Sequence, residues 1–305
     1  MSVKNSVVTI GVFDGVHIGH RAIIKKVARE ARTEGLESVV ITFDPHPLKI
    51  LKPHSFIPSL ISLRHRVRLL KELGIDRVLV MKFDRKMAGL PAEKFIKDII
   101  ADRLRAKEIF VGEDFLFGKG ASADTDELKT IAARFSMNVR VIRHVKVAGR
   151  IVSSSLIRRL VMNGDIKYAS RLLGRPFSIL GTVVRGAKLA RRLGYPTANV
   201  NPHHEAMPPG GVYAVKVKFK GRALKGVMNI GIRPTFYDHG RDEEPSIEVH
   251  IFDFHGRIYG RDLEIIFVRK LRDEKKFNTI DSLIMQIKRD EQAARASLKD
   301  NLLYR

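Results

Sequence analysis

Between residues 6 and 145, short runs of β-branched residues alternate with stretches of helical periodicity, and this rhythm limits the fold more than any other feature of the chain. The strand candidates are SVVTIGVF from Ser6, SVVITF from Ser38, RVLVMKF from Arg77, KEIFVG from Lys107 and NVRVIRHV from Asn138, each separated from the next by a helical pattern. Such alternation builds βαβ units, so the expected fold is α/β with a parallel, doubly wound, Rossmann-like sheet. Ligands of these sheets bind beyond the carboxyl ends of the strands. Three polar segments, GVFDGVHIGH, TFDPHP and VGEDFLFGKG, fall at such ends and are expected to converge on one crevice.

After SSSLIRRLVMNGD and a helical piece reaching Leu173, the pattern changes to strands separated by Gly, Pro and Asn turns without intervening helices. The candidates are FSILGTVV from Phe177, VYAVKVKF from Val212, ALKGVMNI from Ala223, IEVHIFDF from Ile247 and LEIIFVRK from Leu263, with Lys220-Gly221 and His255-Gly256 standing where hairpin turns are expected. This predicts a small antiparallel β-barrel or sandwich. A terminal helix from about Ile280 to Leu298 carries Leu283, Ile284, Ile287 and Ala294 as a stripe able to pack on it. The shift near Gly174-Arg175-Pro176 divides the chain into expected domains 1–174 and 175–305.

Composition narrows the chemistry. There is no cysteine among the 305 residues, which excludes disulfides, a thiolate zinc site and a cysteine nucleophile. No run of about 18 apolar residues could span a bilayer, and the N-terminus lacks the long apolar core of a signal peptide. A soluble, cytoplasmic protein without a membrane partner is expected. The net charge of +23 raises a nucleic-acid reading. The basic residues are scattered through amphipathic elements, however, and aromatics are only 7%. A solvated basic surface favouring anionic nucleotides is the expected outcome, with no nucleic-acid partner.

In GVFDGVHIGH, Gly11 stands at a strand end, Gly15 in the turn, and His17 and His20 at the mouth of the next helix. Free backbone amides and the positive end of the helix dipole make that position a phosphate seat. The two histidines can donate hydrogen bonds to phosphates as charge develops, without covalent catalysis. Read alone, they could equally make only local hydrogen bonds. A metal site from this pair is not expected, because further ligands at zinc-like spacing are missing.

These residues resemble the His-x-Gly-His signature of the nucleotidyltransferase superfamily. TFDPHP, VGEDFLFG and SSSLIRRLVMNGD then follow in the order of bacterial bifunctional riboflavin kinase/FAD synthetases, and the resemblance covers nearly the whole chain. It implies that the N-terminal domain adenylylates FMN to FAD: the histidines steady the ATP phosphates while the FMN phosphate attacks the α-phosphorus and pyrophosphate leaves. By motif position Gly11, Asp14, Gly15 and Asp114 join the nucleotide site. Ser153, Ser154 and Ser155 would meet phosphates, Arg158 the nucleotide, and Asp165 a metal. As isolated residues, Asp165 could be a helix cap, Arg158 a solvated helix residue and the serines a helix start. His46, between two prolines at a strand end, is a candidate for the flavin site. The family usually has Thr at the place of Ser155, and often Arg where Leu116 and Ala121 stand.

RGAKLARRLGYPTANV is the second informative segment. Thr197 and Asn199, two residues apart on an extended strand, point to one face and can address one hard cation, although Thr-x-Asn alone is commonly a turn or edge feature. The segment resembles the magnesium-binding Pro-Thr-Ala-Asn motif of riboflavin kinases, and GVYA, GVMNIGIRPTF, EVHIFDF and YGRDLEIIFVRKLRDEKKF follow in the family's order. The resemblance implies ATP-dependent phosphorylation of riboflavin to FMN, with ADP as by-product. Magnesium would sit on Thr197 and Asn199, Glu248 would act as base, and Gly186, Lys188 and Arg191 would cradle phosphates. A glutamate in an alternating strand could also simply face solvent. Ala190 stands where the family has Gly, and a Cβ in a phosphate loop predicts a higher ATP KM there.

Two rival readings stay open on sequence: another nucleotidyltransferase of the same superfamily, and an OB-like nucleic-acid module. The absence of a Lys-Met-Ser-Lys-Ser segment argues against a tRNA synthetase, and the second half lacks evident stacking aromatics on successive strands.

Overall fold

Strand β1 (Ser6–Ile10) is buried at all five positions, as a strand covered on both faces must be. The computed structural model describes residues 4–55, 57–185, 194–203, 206–232 and 245–299. From β1 the chain runs through α1 (Ile18–Thr33), β2 (Glu37–Asp44), the short α2 (Pro47–Leu51), α3 (Leu63–Glu72) and β3 (Arg77–Lys82). Then come α4 (Arg85–Ala88), α5 (Ala92–Phe95) continuing as a π-helical stretch over Ile96–Arg103, β4 (Ala106–Gly112), α6 (Thr125–Ala133) and β5 (Asn138–Ile142). The five strands form one parallel sheet in the order β3-β2-β1-β4-β5.

Alternate residues of the central strands feed opposite layers. Val8, Val39, Ile41, Ile109 and Val111 pack with Phe95, Ile96, Ile100 and Leu128 on one face. Val7, Val40 and Phe110 pack with Ile24, Val27 and Ala31 of α1 and Leu69 and Leu70 of α3 on the other. The strand order reverses between β1 and β4, which is the switch point where such sheets open a ligand crevice. The segments following β1 and β4 are the ones singled out from sequence.

A small hairpin, β6 (Lys146–Val147) and β7 (Arg150–Ile151), precedes α7 (Ser154–Met162) and α8 (Ile166–Leu173). The chain divides into two compact units, Met1–Ile157 and Arg158–Arg305, so the division falls within α7. The second unit is a closed barrel of β8 (Ser178–Val184), β9 (Ala198–Pro202), β10 (Gly211–Phe219), β11 (Arg222–Ile232), β12 (Pro245–Ile251) and β13 (Asp262–Arg272), with neighbours in the order β10-β11-β12-β9-β8-β13 and closure between β13 and β10. All of its pairings are antiparallel.

Lys220 and Gly221 both adopt positive φ between paired Phe219 and Arg222, the two-residue hairpin turn expected there. His255-Gly256 does not make one. β12 pairs with β11 and β9, and β13 with β10 and β8, so the segment between them connects strands that are not neighbours. The sixth strand, β9, was not among the five strand candidates, and it completes the ring between β8 and β12.

Helix α9 (Ile280–Ser297) packs Ala294 and the following Leu298 against Ala214 and Phe252 of the barrel unit. A largely buried ion pair fastens it: Arg272 Nε and Nη2 donate to Asp290 at 3.0 and 2.7 Å, and Gln286 donates to the same carboxylate at 2.8 Å. Asp290→Ala would leave Arg272 Nε and Nη2 without their acceptor, while Nη1 keeps its bond to Asp273 O. The expected loss is roughly 2 kcal/mol, moderated by the partial exposure of Arg272, and it is read from the urea midpoint of the barrel transition.

Candidate functional sites

The turn from Gly11 to His17 is unusual in its backbone. Phe13, Gly15 and Val16 all have positive φ, at 53°, 83° and 42°. For the two residues with side chains this costs on the order of 1 kcal/mol or more each. The strain is offset by packing, because Phe13 and Val16 are 3% and 1% exposed within the core between α1 and the sheet. Gly11 N donates to Ile41 O at 3.1 Å, fixing the entry to the turn beside β2.

His17 caps α1. Its Nδ1 accepts from His20 N at 3.3 Å, so the neutral ring carries its proton on Nε2. The His17 and His20 rings stack with centroids 3.6 Å apart, and Phe13 meets His20 edge-on at 5.2 Å. Gly19 makes room for this: a Cβ there would lie 3.2 Å from the His17 ring. Nδ1 of His20 is buried without a hydrogen-bond partner, which favours an unprotonated Nδ1 and again an Nε2–H donor. Burial lowers the His17 pKa to about 4. That of His20 is held well below the ordinary value, by burial first and then by the charges of His17 and Arg66. Both imidazoles are therefore neutral at pH 7. The first turn of α1 contains no acidic residue, so nothing there opposes an anion.

The other residues singled out in this unit take distinct places. Asp14 is 1% exposed and faces inward, its carboxylate accepting from Leu60 N at 3.0 Å and Ile61 N at 3.3 Å. Ser153 Oγ accepts from Leu156 N at 3.2 Å as the cap of α7, Ser154 Oγ donates to Asp14 O at 2.8 Å, and Ser155 is exposed on the first turn. Asp114 is exposed just beyond β4, folding back over Gly112. His46 caps α2, Nδ1 accepting from Leu48 N at 3.2 Å.

In the second unit, Arg158 lies on α7 and Asp165 caps α8, accepting from Tyr168 N at 3.1 Å. On the barrel, Glu248 of β12 stands directly across from Asn199 of β9 on one side and Asn229 of β11 on the other. Cross-strand partners project from the same face, so two amides flank one carboxylate. Thr197 Oγ1 donates to Glu248 Oε2 at 3.3 Å. The segment bearing Thr197 is steadied by His250, whose Nδ1 lies 2.9 Å from Pro196 O and whose ring meets Tyr195 edge-on. Thr197, Asn199 and Glu248 are thus gathered, and Asn229 joins them. Asn229 lies in GVMNIGIRPTF, and its register opposite Glu248 emerges only once the strands pair. Gly186, Lys188, Ala190 and Arg191 lie outside the described residues.

Residues 1–156 match the family model for FAD synthetase, and residues 173–298 the model for riboflavin kinase. The bifunctional riboflavin kinase/FMN adenylyltransferase of Escherichia coli (strain K12) is 39% identical over 293 residues, covering 96% of this chain and 92% of its own length. The Bacillus subtilis (strain 168) protein of the same description is 38% identical, covering 95% and 91%. A crystal structure described as a macrolide-efflux protein from Streptococcus pneumoniae is 32% identical, with a TM-score of 0.84 over 97% of this chain and 95% of that one. In the present chain no described helix is long and apolar enough to cross a membrane.

Proposed function

This chain belongs to the bifunctional riboflavin kinase/FMN adenylyltransferase family, and from that premise we propose which residues perform each reaction. The enzyme phosphorylates riboflavin to FMN with ATP and adenylylates FMN to FAD with release of pyrophosphate. The observation that carries the residue assignment is that two polar constellations, His17 with His20 and Thr197 with Asn199 and Glu248, stand in separate compact units, each within the segment matched by one family model. We assign the adenylylation domain to residues 1–174 and the kinase domain to 175–305.

For adenylylation, an oxygen of the FMN phosphate attacks the α-phosphorus of ATP, and the bond to the bridging oxygen breaks so that pyrophosphate leaves with the electron pair. The attacking phosphate is already anionic, so no general base is required. Negative charge grows on the phosphate oxygens, and the two Nε2–H donors at the mouth of α1 are preorganised to receive it. The amides after Gly11 and the glycine at position 15 complete the seat. Ser155, Arg158 and Asp114 are proposed nucleotide contacts. His46 is proposed to border the flavin, and Asp165 to reach a metal with the carboxylate that caps α8. Asp14 acts through the turn it anchors.

For phosphorylation, Glu248 accepts the proton of the ribityl hydroxyl as its oxygen attacks the γ-phosphorus and ADP departs. The donor pair here, the Thr197 hydroxyl and the Asn199 amide oxygen, is made of hard oxygens and fits magnesium that takes its remaining ligands from water and nucleotide phosphate. Thr197 and Asn199 would hold that ion, which supplies charge neutralisation of the transferred phosphoryl group. Gly186, Lys188 and Arg191 are the proposed phosphate cradle of this site.

Chromatography of products tests the reading. Purified protein given riboflavin, ATP and magnesium should yield FMN and then FAD, and FMN with ATP should yield FAD and pyrophosphate. Folded protein that forms neither, or that adenylylates a different phosphorylated acceptor by mass spectrometry, would overturn it.

A further inference from the structure

One buried cation beneath the nucleotide turn belongs to none of the motifs above. Arg66, the fourth residue of α3, is only 2% exposed. Its Nη1 donates to Thr42 Oγ1 at 3.1 Å and to Phe43 O at 3.0 Å, both near the carboxyl end of β2. Thr42 Oγ1 donates in turn to Val12 O at 2.9 Å, inside the turn that precedes His17. Two hydrogen bonds therefore connect the guanidinium to the turn's backbone.

The same helix holds the turn from another side. Ser62 caps α3, and the two residues before it supply the amides that bind the Asp14 carboxylate. Arg66 feels the charges of Asp14 and Asp44, which counter part of the cost of its burial. That cost is not fully met, because Arg66 Nε is buried with no hydrogen-bond partner. A methionine of similar length would fill this space without an unsatisfied donor. A clamp that served packing alone would have no use for the charge.

We propose that Arg66 is a positioning residue for adenylylation: through Thr42 it fixes the turn that carries His17 and His20, and its charge adds a permanent positive field at the phosphate seat. The groups acting electrostatically on His20 are His17 from the start of its own helix and Arg66 from α3. Both disfavour the imidazolium form. Arg66 thus helps to keep His20 a neutral donor, ready for the charge that develops on the nucleotide.

The inference rests on the adenylylation site lying at this turn, a reading that His20→Ala tests separately. In the full-length enzyme, Arg66→Met should lower kcat for FAD formation roughly tenfold, less than the ~10²-fold that a 1 Å misplacement can cost. KM for ATP should change little, and riboflavin phosphorylation should not change. Arg66→Lys, which keeps the charge, should recover most of the loss. Removing a positive neighbour favours protonation of His20, so the acid limb of FAD formation in Arg66→Met should move to higher pH.

A folded Arg66→Met enzyme with parental FAD formation, or one whose two activities fall equally, overturns the proposal. So does a loss of kcat without movement of the acid limb, the signature of a structural role alone. If Arg66→Met does not fold, Thr42→Val breaks the link and leaves the charge in place. A parental kcat in that variant overturns the positioning role. Should His20→Ala spare FAD formation, the site assignment fails; should it lower FAD formation while Arg66→Met keeps the parental rate, only the role of Arg66 fails.

Discussion

Replacing Glu248 with glutamine is expected to lower riboflavin phosphorylation by roughly 10²- to 10⁴-fold, the contribution of a positioned general base. FMN supplied directly should still be converted to FAD at close to the parental rate. The substitution suits the geometry. Glutamine keeps the size of the side chain between Asn199 and Asn229 and can still accept from Thr197, so what is removed is the basicity of the carboxylate. A folding defect confined to the barrel would also spare adenylylation, so circular dichroism and retained riboflavin binding are the controls. With those satisfied, normal phosphorylation by the variant removes Glu248 from the mechanism, and a parallel fall in adenylylation argues against two independent sites.

His20→Ala should do the converse. FMN formation stays nearly intact, while FAD formation falls by about 10²-fold or more, the scale of losing one preorganised donor to a developing phosphate charge. The stacking of His20 on His17 sharpens the expectation, since the variant also frees the His17 ring from its partner. Equal loss of both activities in a folded protein would refute the assignment. The assay belongs near pH 7, where burial keeps both imidazoles neutral and the comparison is between a donor and its absence.

The architecture was largely legible because each half of the chain has its own periodicity. Runs such as SVVITF and RVLVMKF are short, β-branched and bounded by helical patterns, and they became β2 and β3 as expected. β9 was read as extended at Thr197 and Asn199 yet escaped the strand count for a physical reason: Ala198–Pro202 is only five residues long, ends in proline and carries two asparagines of low β-propensity, so its alternation is too short to stand out. His255-Gly256 misled because turn residues report that a chain bends, and do not say which strand the chain meets next.

The histidine pair and the Thr197, Asn199, Glu248 group were legible through motif order. What sequence could not supply was direction. Asp14, expected at the phosphates, points into the protein and secures Leu60 and Ile61. Arg66 sits in LRHRVR, where an arginine reads as one more solvated helix residue. Only the burial of its face of α3 sets it apart from Arg64 and Arg68. Gly19 likewise reads as a poor helix former until the His17 ring is found lying against it.

The place of β9 in the ring bears on how this enzyme could lose an activity over evolutionary time. The strand that carries Asn199 is also the stave between β8 and β12, so erasing it would leave two open strand edges as templates for aggregation. A lineage that no longer needed riboflavin phosphorylation could not shed this segment and keep an intact barrel. It would have to silence the proposed site by single substitutions at positions such as Thr197 or Glu248. Descendants with a dead kinase half should therefore still fold as six staves, and the relic would be visible in altered side chains rather than in a missing piece.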